Sequence, residues 1–126
     1  MLVLLRLAKQ AAREIMAVYA SDFAVRDKAD LSPVTEADER AERVILAGLR
    51  EHFPDVPVVA EEQAAAGIVP ITADDFLLVD PLDGTKEFIS RNGEFTVNIA
   101  FVENGVPVAG VVYAPALKRI FWGEKG

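Results

Sequence analysis

Two aspartates three positions apart, Asp80 and Asp83, flank Pro81 and Leu82 at the end of the apolar run Phe76 to Val79, and Gly84 and Thr85 follow at once. Like charges held this close repel unless a cation lies between them. Magnesium is a hard cation that takes oxygen ligands, few of them from protein and the others from water and substrate phosphate. A second apolar stretch, Val58 to Ala60, runs into Glu61 and Glu62 in the same manner. Asp80, Asp83 and Glu61 thus offer carboxylate oxygens at the ends of two expected strands. The Leu82 carbonyl, held in a Pro-containing turn, offers another. The backbone amides of Gly84 and Thr85 face outward if a helical turn starts there, and such an end suits a phosphate. Gly84 has no side chain to block a close approach, and the Thr85 hydroxyl can hold a water. Magnesium-assisted handling of a phosphate is the chemistry that fits. The same stretch also reads as an ordinary surface turn, because Asp, Pro and Gly each favour turns for local reasons. The repeat of the pattern at Glu61 weighs against that reading.

The elements that must position these groups follow from periodicity. Residues 2–20 place Leu4, Leu5, Ala8, Ala11, Ala12, Ile15, Met16 and Tyr19 at intervals of three and four, the stripe of an amphipathic helix. Residues 21–34 end in Ser32-Pro33 and read as a loop. Thr35 to Asp38 matches a capping box, with Thr35 as N-cap and Asp38 at N3. A second helix then runs to about His52, burying Ala41, Ile45, Gly48 and Leu49. Val58 to Ala60 and Phe76 to Val79 read as short buried strands, with a loop over 63–74 and a helical turn from Lys86 to about Ser90. Phe95 to Val102 and Val106 to Tyr113 flank Asn104-Gly105, a two-residue hairpin signal. Pro107 belongs on an edge or at a bulge, and Arg119 to Trp122 forms a further strand. Helices followed by antiparallel strands predict an α+β fold, two N-terminal helices packed on an antiparallel β-sheet.

Several residues have plainer readings. Asp38, at a capping position, stabilises a helix by about 0.5–2 kcal/mol without any catalytic role. Glu62 and Glu87 read as solvated, and His52 as a helix-end residue that favours the dipole. Lys28 and Lys86 are surface residues, although Lys86 stands beside the proposed phosphate site. Phe95 to Val102 reads as core, and Trp122 as packing.

The chain has 126 residues, enough for one domain or part of one, and is 52% hydrophobic, enough to bury a core. Twenty acids against 13 Lys and Arg give a net charge of −7, which disfavours binding a nucleic acid polymer through the overall field. Bound metal ions can still reverse the sign locally for a small anion. Cysteine is absent, so disulfides and thiolate metal sites are excluded. A cytoplasmic location fits, with peripheral attachment to an inner membrane left open. The apolar opening Met1 to Leu5 is broken by Arg6 and Lys9 too early for a signal peptide, and no run approaches a membrane span.

Asp80-Pro-Leu-Asp-Gly-Thr85 resembles the signature of the inositol monophosphatase-like, magnesium-dependent phosphatases. Lys86 to Ile89 and Arg91 to Ala100 look like its CysQ-type bisphosphate nucleotidase branch, which removes the 3′-phosphate of adenosine 3′,5′-bisphosphate. Lys28 to Asp38 and Gly110 to Pro115 are similar to further segments of that branch. The resemblance implies Mg2+ as cofactor, a phosphorylated nucleotide as substrate, and the layered inositol monophosphatase-like fold. It implies that Glu61, Asp80 and the Leu82 carbonyl hold one magnesium, and that Asp80 and Asp83 share a second. Thr85 and Asp38 would orient and deprotonate the attacking water, with Glu61 counted in the catalytic set. Asp83 and the amides of Gly84 and Thr85 would hold the phosphate. It also implies a later Trp-Asp pair whose aspartate completes the second metal site. Trp122 is followed by Gly123, and no residue here replaces that aspartate. The expectation is therefore that residues 1–126 form the N-terminal, metal-binding part of such a domain. Alone they would be inactive or nearly so, and they would pair with a complementing C-terminal half or self-associate. Inositol or sugar monophosphate as substrate, or a noncatalytic remnant, are the alternatives.

Overall fold

Leu4, Leu7, Ala8, Ala11, Ala12, Ile15 and Val18 recur at the intervals that bring side chains onto one helical face, and in the computed structural model they are buried along α1 (Leu2–Tyr19). The structure describes residues 2–20, 33–60, 75–90 and 92–124, apart from the side chains of residues 33–35, 85 and 89. The expected loop over 63–74 and all but the end of that over 21–34 fall outside these residues. Leu5, Met16 and Tyr19, expected in the stripe, flank it partly buried, while Leu7 and Val18 take the central places.

The second helix, α2 (Pro33–His52), starts three residues earlier than the capping box predicts. Thr35 therefore lies inside its first turn and is not the N-cap, and Asp38 lies beyond N3. Proline explains the earlier start, because its fixed φ and missing N–H suit the first helical position. Ala37, Ala41, Ile45 and Leu49 are buried. Gly48, expected to be buried, is half-buried and lets α2 approach α1 closely: a Cβ there would collide with Leu7.

Five strands follow, in the spatial order β1 (Val58–Ala60), β2 (Phe76–Asp83), β3 (Thr96–Glu103), β4 (Val106–Ala114) and β5 (Arg119–Glu124). A short helix, α3 (Thr85–Ser90), joins β2 to β3. The α+β layering is as expected, but the sheet is mixed. Strand β1 runs parallel to β2, and the other neighbours are antiparallel. Helix α2 packs on β2, and α1 on β3 and β4, so both cover the same face. Alternation sends Leu77, Val79, Val97, Ile99 and Val111 into that interface, where all are buried. The opposite face carries Leu78, Asp80, Asn98, Ala100 and Val112, which are cross-strand partners in the register. Leu78 and Val112 are 38% and 41% exposed there, so that face is open and partly apolar.

Asn104 and Gly105 have φ of 53° and 75°, the mirror-image turn that their types predict. The Asp75 Oδ1 accepts from the Asn104 amide at 3.1 Å. Pro107 sits beside a register shift in the β3–β4 ladder, where a missing N–H is tolerated. Trp122, expected to pack, is 58% exposed. It lies on β5, the outermost strand, while the helices lean over β2, β3 and β4.

Candidate metal and phosphate site

Pro81 reads as a turn signal, yet β2 continues through it to Asp83. Asp80 pairs with Asn98 and Asp83 with Thr96, so three steps along β2 match two along β3. The extra residue is a β-bulge. Residues three apart in an unbroken strand face opposite ways. The bulge restores the parity, and Asp83 comes to the face of Asp80, because their partners Thr96 and Asn98 are two apart. Proline has no N–H for the ladder, and a bulge is where a central strand accommodates it.

Both acids line a groove of about 250 Å3 on the open sheet face, with Leu78, Asn98, Ala100 and Val112 among its walls. Asp80 is half-buried and Asp83 exposed. Asn98 donates from Nδ2 to the Asp83 Oδ2 at 3.4 Å. The Asn98 Oδ1 is buried and has no hydrogen-bond partner among the described residues.

Gly84 ends the strand with φ of 103°. A Cβ at this position would lie 3.1 Å from the Glu94 carbonyl oxygen and 3.1 Å from the Phe95 Cα. Only glycine fits both the dihedral and the approach. The Phe88 amide donates to the Gly84 carbonyl at 2.9 Å and closes the first turn of α3. The amides of Gly84 and Thr85 precede that bond and have no partner within the helix. Phe88 and Phe95, both fully buried, stack with Tyr19 at centroid distances of 5.3, 4.9 and 5.2 Å around the three rings. This cluster ties the turn after Asp83 to α1 and to the start of β3.

Asp80, Asp83, the Leu82 backbone and Gly84 are thus brought together at one end of β2. Asp38 is half-buried on α2, which packs on both β2 and α3. The Thr85 backbone opens α3, and its hydroxyl lies outside the described side chains. Glu61 and Glu62 lie outside the described residues altogether. Among the described residues, no group of three or more acidic or histidine side chains is placed to hold a metal. The donor set still suits a hard divalent cation: two carboxylates on one face and a backbone carbonyl in the bulge between them. Asn98 and the bulge escaped the sequence reading. The one visible signal was an amide inside the apolar run of β3, where β-branched and aromatic residues prevail.

Residues 2–126 match the model of the inositol monophosphatase family. The chain is 54% identical over 123 residues to the 3′(2′),5′-bisphosphate nucleotidase CysQ of Salmonella typhimurium, covering 96% of this chain and 50% of that one. The solved structure of CysQ from Bacteroides thetaiotaomicron superposes with a TM-score of 0.83 at 41% identity, over 99% of this chain and 45% of that one. An inositol monophosphatase from Zymomonas mobilis gives 0.82 at 33% identity, over 98% and 46%. The chain therefore spans about half the length of the curated relatives it matches.

Proposed function

The chain belongs to the inositol monophosphatase family, and from that premise we propose that residues 1–126 are the N-terminal, metal-binding part of a magnesium-dependent phosphatase domain. The reaction proposed is hydrolysis of the 3′-phosphate of adenosine 3′,5′-bisphosphate to give AMP and phosphate. The observation that carries this reading is the bulge that turns Asp80 and Asp83 to one face. Identity favours the nucleotide over inositol or sugar phosphates, at 54% over 123 residues to a bisphosphate nucleotidase against 41% over 93 residues to a fructose-1,6-bisphosphatase/inositol-1-monophosphatase of Thermotoga maritima. The fold alone does not choose, since TM-scores of 0.83 and 0.82 are equivalent.

In this proposal Asp80, Asp83, the Leu82 carbonyl and Glu61 hold Mg2+. When bound, the metal supplies a lowered pKa for the attacking water and charge compensation for the phosphoryl group. The residues of the chain position and orient. The amides of Gly84 and Thr85 donate to phosphate oxygens, and Gly84 adds no side chain of its own to block the approach. Asp38 and Thr85 take the proton of the water and align it. No described helix is long and apolar enough to cross a membrane, and a cytoplasmic location belongs to the same proposal.

Two measurements test it. Calorimetric titration of the chain with Mg2+ is expected to give saturable binding that Asp83→Asn weakens at least tenfold, as loss of a charged ligand should. Phosphate release is expected from adenosine 3′,5′-bisphosphate in preference to inositol 1-phosphate. The Trp-Asp aspartate is not among these residues, so release by residues 1–126 alone is expected near background, rising when the C-terminal half of a relative is supplied. Unchanged Mg2+ binding in Asp83→Asn, or a preference for inositol phosphate, would overturn the corresponding part.

A further inference from the structure

Strand β3 buries Val97 and Ile99 against the helices and presents Asn98 to the other face. The position directly opposite Asp80 is therefore an amide, in a strand interior where Asn is disfavoured. The same side chain reaches Asp83 through Nδ2 at 3.4 Å. One residue of β3 thus spans both acids. It does so only because the bulge puts Asp83 on the Asp80 face; in regular register Asp83 would point into the helix-covered side.

The amide is polarised in one sense. With Nδ2 on the Asp83 carboxylate, Oδ1 is left buried with no partner among the described residues. The reversed amide would set a carbonyl oxygen against a carboxylate oxygen, two acceptors with no proton between them. Asp83 therefore fixes the orientation of Asn98, and by reciprocity Asn98 restrains the Asp83 carboxylate. An apolar residue would pack against Ala100 and Val112 in this groove without leaving a buried oxygen unpaired, so packing does not account for the amide.

Granting the metal-site reading above, on which it rests, we propose that Asn98 is a positioning residue. Its side-chain amide holds the Asp83 carboxylate on the face of Asp80, so that the two acids meet a divalent ion in one preset arrangement. Partners of this kind, which orient a ligand without touching the ion, change metal affinity by about 10–100-fold when removed.

The test uses the 126-residue chain and Mn2+ alone, followed by electron paramagnetic resonance, with thermal unfolding in metal-free buffer alongside. Asn98→Ala removes the amide, and Asn98→Leu removes it while keeping a side chain branched at Cγ, so that one remains readable if the other fails to fold. Both are expected to raise the Mn2+ Kd by about tenfold or more while the midpoint of unfolding moves by only a few degrees. A Kd within twofold of the parent in a folded variant overturns the proposal. So does loss of binding that appears only together with a collapse in thermal stability, because the role would then be structural. If the parent chain shows no saturable Mn2+ binding, the metal-site reading itself falls and takes this one with it.

Discussion

Among the described residues, replacing Gly84 with alanine should cost more than replacing either of the other glycines at positive φ, Gly93 and Gly105. The reason is a comparison inside the same molecule. Gly84 has φ of 103° and Gly105 has φ of 75°, so alanine is strained at both. A left-handed backbone costs an L-residue about 1–2 kcal/mol, and 103° lies farther from the left-handed well than 75° does. The two sites differ in space. Nothing lies within 4 Å of a Cβ at Gly105, whereas at Gly84 the Glu94 carbonyl oxygen and the Phe95 Cα are each 3.1 Å away. Both of those are backbone atoms, and Phe95 is clamped by Phe88 and Tyr19, so neither yields cheaply. Overpacking of this kind adds about 1–3 kcal/mol. Against it stands a gain of about 0.4–1 kcal/mol from a stiffer unfolded chain, common to both variants. Gly84→Ala should therefore lose about 2–4 kcal/mol and Gly105→Ala about 0.5–1 kcal/mol. For a chain of this length about 4 °C of melting temperature corresponds to each kcal/mol. Urea and thermal unfolding followed by circular dichroism would read a gap near 8 °C between the variants. Gly84→Ala proving no less stable than Gly105→Ala would refute the contact argument and, with it, the claim that the turn after Asp83 is sterically fixed.

Phe95→Ala should lose about 3–5 kcal/mol, since the ring is fully buried between Tyr19 and Phe88; a shift in the urea midpoint worth less than about 1 kcal/mol would contradict the ring cluster. Val112→Lys, on the open sheet face, should change stability by no more than about 0.5 kcal/mol, while lowering binding of a hydrophobic dye and any concentration-dependent association. Collapse of the fold in that variant would show the face to be interior.

The elements whose signals are local were legible in the sequence. The helical stripes needed only the spacing of Leu4, Ala8, Ala11 and Ile15, and the β3–β4 hairpin only Asn104-Gly105. What was not legible depended on pairing between distant segments. The parallel partnership of β1 with β2 follows from a connection over residues 61–75, long enough for a crossover, and no residue type announces it. Trp122 reads as core by composition, but exposure is decided by which strand is outermost. Asn98 is one polar residue in an apolar run until the register sets it against Asp80.

The clearest case is the acid pair itself. In an unbroken strand the spacing of Asp80 and Asp83 would place one carboxylate in the groove and the other against the helices. Burying that second charge would cost several kcal/mol, so the regular register is closed to this sequence. Proline supplies the alternative. At position 81 it cannot donate to the ladder, and a central strand tolerates it where pairing is already interrupted. The repulsion from the core on one side and the missing N–H on the other favour the same extra residue, and that extra residue turns both acids to one face. The proline that mimics a turn signal is thus a local cause of the geometry on which metal binding would depend.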